Sequence, residues 1–233
     1  AVVVPNVIAT RQGTSEPERV VELSAHYDTV ANSPGADDNS SGVAALLEVA
    51  RVLADVPTRR TLRFCFFGAE EVGLRGSAAH LEALGADGRE RLVALINLDG
   101  VGYRETGPGS QREPDGVPWF LALPDEGDFV VVIGKWSSGW LGNVFEGAID
   151  AYAPDLPYYS ANRIGAFFPD AARSDHANYW KAGVPAIFLS DTGEFRGDAY
   201  HTPRDTPERL DYEFLAAVTR ATAAAALHLA RPE

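Results

Sequence analysis

Short apolar runs, each closing on a polar stretch with an acid or a histidine nearby, recur along the chain and limit the folds open to it. Residues 62–67 are the clearest case: the aromatic-rich run stops at Gly68, and Glu70 and Glu71 follow at once. Such a run, bounded by glycine, is what a buried strand looks like. Residues 20–23 form a second run ahead of His26 and Asp28. Residues 92–96 lead to Asp99, and 129–133 and 186–189 complete the set. Between them, Val43, Leu46, Leu47, Ala50 and Leu53 recur at helical spacing, and Asn39, Ser40 or Ser41 can cap that helix. Further helices are predicted over 77–84, over 141–152, from a cap at Ser174 through Lys181, and over the Ala-rich 212–229. Strands alternating with helices predict an α/β domain of three layers.

The 233 residues fall within the range of one such domain, 1–233, with no internal repeat and no dividing linker. Residues 103–128 hold much of the Gly and Pro without a clear period, which predicts a long surface excursion of the kind that shapes binding sites. A formal net charge of −13 argues against nucleic acid or an anionic membrane as partner. No stretch is long and apolar enough to span a bilayer. The one cysteine, Cys65, excludes an internal disulfide and lies in an apolar run, as an inert core residue would. Nothing reads as a signal peptide, since Pro5 and Asn6 end the apolar start; removal of a leader from a chain beginning at Ala1 leaves localisation open.

The acids and histidines at strand ends and in loops are His26, Asp38, Glu70, Glu71, Asp99 and His201. Two neighbouring acids such as Glu70 and Glu71 point in different directions, so one can bind a cation while the other faces a water. A solvated acidic loop is the alternative. Imidazole and carboxylate together, without a cysteine, suit a hydrolytic zinc pair better than a structural zinc.

The motifs Ala25-His-Tyr-Asp28, Gly35-Ala-Asp-Asp-Asn-Ser-Ser-Gly42, Phe67-Gly-Ala-Glu-Glu-Val-Gly-Leu74, Asn97-Leu-Asp99, Ser174-Asp-His176 and His201-Thr-Pro-Arg-Asp-Thr206 together resemble the M28 zinc aminopeptidases, in that family's order and across nearly the whole chain. The resemblance implies the phosphorylase/hydrolase-like α/β/α sandwich with a mixed, mostly parallel sheet, and a peptide or aminoacyl substrate with an apolar N-terminal residue. It implies two zinc ions, with Mn or Co as other occupants. Asp38 would bridge them, with His26 and Asp99 on one side and Glu71 and His201 on the other, and Glu70 would be the general base. A non-proline cis peptide is implied at Asp38–Asn39. Tyr200 resembles a tyrosine that donates to the oxyanion in some secreted members, and the same members lean the localisation toward secreted or periplasmic. Asp28 is expected to orient His26, Asp205 to support His201, and Asp175 to lie beside the site. His176 is expected near the metals rather than on them.

Several residues carry plainer expectations. His80 and His228 are expected on helix surfaces without acidic partners, Asp37 as a loop acid, and Arg196 and Arg204 as surface arginines unless they steer a substrate carboxylate. Trp119, Phe120, Trp136, Trp140 and Phe195 are expected in the core before a pocket. Only about twenty residues precede the His26 strand, so an edge strand or flap is expected to be missing, and Gly100 stands where many members have a bulky residue. Competing classes on the same fold are a single-zinc glutaminyl cyclase, a carboxypeptidase or other amidohydrolase, and an inactive binding module. Oligomeric state is not legible.

Overall fold

A computed structural model describes residues 4–115, 117, 121 and 123–231. In chain order the strands are β1 (Val7–Arg11), β2 (Glu16–His26), β3 (Arg60–Phe67), β4 (Leu92–Leu98), β5 (Val130–Gly134), β6 (Tyr158–Ala161) and β7 (Ala186–Ser190). The helices are α1 (Gly42–Leu53), α2 (Arg75–Glu90), α3 (Gly139–Tyr152), α4 (His176–Lys181) and α5 (Tyr212–Ala230). One mixed sheet runs β1–β3–β2–β4–β7–β5–β6. Strands β3, β2, β4 and β7 are mutually parallel, while β1 and β5 run against their neighbours β3 and β7.

Side-chain alternation sorts the strands between two cores. Val21, Leu23, Phe64, Phe66, Ile96 and Leu98 face α1, α3 and α5. Val20, Cys65, Phe67 and Leu95 face the other way, onto Leu81 of α2 and Tyr179 of α4. Both faces of the central parallel strands are therefore buried, which is why those strands read as unbroken apolar runs. The three-layer expectation holds. Burial also pushes the Cys65 thiol well above its usual range, in keeping with an inert residue.

Helix α2 packs over β4, and α4 over β4 and β7, while the same face of β5 and β6 is covered differently. Val131, Ala161 and Phe129 on that face pack instead with Leu123, Ile133, Tyr159 and Ile164. Residue 103 onward supplies the cover: Glu105 bridges to Gly127, and the Tyr159 hydroxyl donates to the Leu121 carbonyl at 2.7 Å.

Three expectations about elements change. An edge strand is present, since β1 pairs along β3 from Val7 opposite Phe66 to Arg11 opposite Leu62. Helix α2 runs to Glu90, past the expected end near Leu84, with a break at Gly85 where φ is +65°. Trp136 and Trp140 are exposed rather than in the core, whereas Trp119 and Phe120 lie outside the described residues. Among the described residues no helix is long and apolar enough to cross a membrane.

Candidate active site

The chain leaves β2 through α1 to β3 on one side, then crosses back through α2 to β4 on the other. His26 ends β2, at this reversal of strand order, where open α/β sheets leave a crevice beyond the strand ends. Asp99 follows β4 beside it, and Glu70 and Glu71 follow β3.

Asp38 sits between two imidazoles. Its Oδ1 is 3.1 Å from His26 Nε2 and its Oδ2 is 3.0 Å from His201 Nε2. Asp99 Oδ1 lies 3.2 Å from the same His26 nitrogen, and Glu71 Oε2 lies 3.2 Å from that of His201. Two triads result, His26–Asp38–Asp99 and Asp38–Glu71–His201, each compact enough for one cation to reach all three side chains, with Asp38 shared. Glu70 lies buried beside them and closes a further group with His26 and Glu71.

Local structure explains how these side chains are held. The Asp38–Asn39 peptide is cis. The Asp205 carboxylate accepts from the Asp37 and Asp38 amides at 2.7 and 3.1 Å, so Asp205 supports the backbone that carries Asp38 and not His201 as expected. Asn39 donates to the Leu98 carbonyl at 2.9 Å and accepts from Gly42 and Gly100 amides, tying the loop to the end of β4 and to the start of α1. Gly100 has φ of +61°, a left-handed conformation in which a bulky residue would be strained. Asp28 orients His26 through its backbone carbonyl, 3.0 Å from Nδ1, while its carboxylate accepts from the Glu70 and Glu71 amides at 3.1 and 3.3 Å. Ser24, Asn97 and Ser174 form a buried hydrogen-bonded line across β2, β4 and the approach to α4. Ser174 thus uses its hydroxyl on Asn97 instead of capping the helix.

The acids strain against one another. Burial and then the charge of Asp99 push the Glu70 carboxyl up to about 9, and burial and Asp38 push Glu71 to about 7. Burial alone would lower His26, but Asp99, Asp28 and Asp38 outweigh it and hold the imidazole well above its usual range. Burial would raise Asp38, yet His201 and His26 hold it below the ordinary carboxylate range. Glu71 Oε1 is buried with no partner. A cation would relieve all of these at once: the donor set is imidazole nitrogen and carboxylate oxygen, crowded, and one buried oxygen short of a partner.

The model for peptidase family M28 matches residues 6–226. This chain belongs to that family. Over 214 residues it is 37% identical to the uncharacterized protein YfbL of Escherichia coli, covering 85% of this chain and 64% of that protein. It is 31% identical to the aminopeptidase YwaD of Bacillus subtilis over 202 residues, 84% of this chain and 38% of that one. In structure it resembles BSAP, a zinc aminopeptidase from Bacillus subtilis, with a TM-score of 0.75 at 28% identity, over 96% of this chain and 49% of that one. The chain therefore spans less than two thirds of the length of these relatives.

In this M28 chain a largely apolar cavity, open to solvent, adjoins the triads. Asp38, Asp99 and Tyr200 stand at one end, and Val131, Ile133, Phe188 and Phe195 contribute apolar wall. Tyr200 stacks on His201 with ring centroids 3.8 Å apart, and its hydroxyl is 3.5 Å from Arg173, which is paired with Glu194. Asp175 is fully buried, and burial pushes it up to about 7. His176 stacks on Phe188 and is bonded to the Ala171 carbonyl at 2.7 Å, away from both triads; burial lowers it to about 3.

Three plainer expectations are corrected. His80 is buried and bonds the buried Glu22 at 3.0 Å, where Arg63 and Tyr179 also donate, each at 2.7 Å. Glu22, Cys65 and His80 are near enough to hold a cation, but the carboxylate already faces a guanidinium and is fully engaged. Asp37 is a structural acid, not a loop acid: it accepts from the Gly102 amide at 2.8 Å and faces Asp191. Arg196 is buried among carbonyls rather than at the surface, whereas Arg204 is the expected surface arginine, paired with Asp198. Reading the sequence missed Asp191 altogether; an acid just past a strand end was the available signal.

Proposed function

We propose that this chain is a zinc-dependent aminopeptidase domain that hydrolyses the first peptide bond of a substrate with an apolar N-terminal residue. The observation that carries the reading is Asp38, with one oxygen toward each histidine and a further carboxylate completing each triad. His26, Asp38 and Asp99 would hold one ion and Asp38, Glu71 and His201 the other. Two divalent cations there supply Lewis acidity toward the scissile carbonyl and a lowered pKa for water.

Glu70, buried and adjacent to Glu71, takes the proton from the attacking water and delivers it to the leaving amide nitrogen, so that the C–N bond breaks to a neutral amine. Tyr200 donates its hydroxyl to the oxygen that gains charge on the substrate carbonyl. The apolar cavity beside Asp99 takes the first side chain, and the surrounding carboxylates suit the positive N-terminal amine. The relatives named as aminopeptidases, YwaD and BSAP of Bacillus subtilis, support the reading.

Metal analysis of the purified protein, with release of p-nitroaniline from aminoacyl-p-nitroanilides, tests it. Two zinc ions per chain and activity abolished by a chelator are expected. One zinc with cyclisation of N-terminal Gln peptides would move the chain to a cyclase, and two zincs without either activity would place the error in the substrate class.

A further inference from the structure

The apolar cavity is walled on its open side by two loops, and a buried guanidinium joins them. Arg196 is 4% exposed and Gln111 is 7% exposed, although both belong to irregular segments near the surface. Arg196 Nη2 donates to the Phe129 carbonyl at 2.7 Å and Nη1 to the Tyr103 carbonyl at 3.1 Å. Its Nε and Nη2 reach Gln111 Oε1 at 3.3 and 3.2 Å. Gln111 in turn bonds Thr192 Oγ1 at 3.0 Å, and the Arg112 amide donates to the Phe195 carbonyl at 2.7 Å. The guanidinium lies over the Phe129 ring, 4.7 Å from its centroid.

Burying a guanidinium is costly unless its donors are met, and this one meets them almost wholly with atoms of the two loops. The segments it joins have one thing in common. Pro114, Val117 and Leu123 on one side and Thr192 and Phe195 on the other line the apolar cavity, while Gln111 and Arg196 themselves do not. Gln111 and Arg196 tie the two walls to each other, so the separation of these walls depends on such links. We propose that Gln111 and Arg196 are positioning residues for specificity: their hydrogen-bonded knot sets the width of the cavity and thereby the size of the apolar side chain it grips.

This rests on the aminopeptidase reading, and its test separates the two. Gln111→Ala and Arg196→Lys, loaded with zinc, are compared with the parent on Ala-, Leu- and Phe-p-nitroanilide. Alanine makes little contact with distant walls, whereas one methylene of apolar contact discriminates by about tenfold or more. KM for the Leu and Phe substrates is expected to rise about tenfold, KM for the Ala substrate to change less than about twofold, and kcat to hold. Chymotrypsin is expected to cut within 112–128 faster in both metal-free variants than in the metal-free parent. An equal loss on all three substrates, or unchanged KM values, would overturn the proposal. If the parent hydrolyses none of them, the aminopeptidase reading fails and proteolysis decides alone: faster cutting upholds the knot, unchanged cutting removes it.

Discussion

Glu70 and Asp205 show how far neighbouring carboxylates differ in role. Glu70 lies buried beside Glu71, and burial and then Asp99 raise it in the metal-free protein. A bound cation would favour the ionised form that a general base needs. Glu70→Gln is expected to leave metal content unchanged and to lower kcat by about a hundredfold or more, measured by metal analysis beside turnover. Asp205 holds two backbone amides of the bridging loop instead. Removing it strands both donors, so Asp205→Ala should cost about 2 kcal/mol in a denaturant titration. By displacing Asp38 it should also weaken zinc binding by about ten- to a hundredfold, read by competition with a chromophoric chelator. The histidines divide in the same way. His26 and His201 share Asp38, while His80 forms a buried pair that its helical position did not announce.

At the scale of elements, the site depends on close contacts between strand ends and the turns that follow. The Glu70–Glu71 turn passes from β3 into α2 through Gly76, where an added Cβ would lie 2.2 Å from the Gly68 carbonyl oxygen. Backbone must move to admit it, so Gly76→Ala is expected to cost roughly 1–3 kcal/mol and to lower the thermal midpoint. Turnover per zinc-loaded molecule should fall as well, since the turn carries both acids. The strand runs themselves were legible, because strands buried on both faces need continuous apolar sequence. Strand β1 was not: its residues are largely exposed on an edge, and an exposed edge strand carries no such demand.

For the whole molecule, the acidic cluster sets a condition on stability. In the metal-free protein Glu70 and Glu71 are raised to about 9 and about 7 in the fold. The unfolded chain releases these protons near 4.3. Between those values the folded state holds protons that the unfolded state does not, so stability falls as pH rises. His26, held high by Asp99, acts in the same direction, since its stabilisation is lost as pH rises through its folded value. Chelated protein is therefore expected to lose thermal stability from pH 6.5 to 9, by at most about 1.4 kcal/mol per pH unit for each group. Added zinc should raise the midpoint most at the alkaline end. Scanning calorimetry with and without chelator checks both, and a chelated midpoint that rises with pH would count against the cluster as described.

The sequence by itself determined the layer order and the cast of the site, because apolar runs, helical spacing and six ordered motifs are local signals carried by the residues that form them. His26, Asp38, Glu70, Glu71, Asp99 and His201 were all visible this way. Only the tertiary structure decided which acid faces which partner. Asp205 turned to the Asp37–Asp38 amides, Asp37 to Gly102 and Asp191, His80 to Glu22, and Arg196 to Gln111, across separations of 58 to 168 residues along the chain. A hydrogen bond acts over about 3 Å in space and is indifferent to distance in sequence, so such pairings exist only once the sheet has brought its strand ends together.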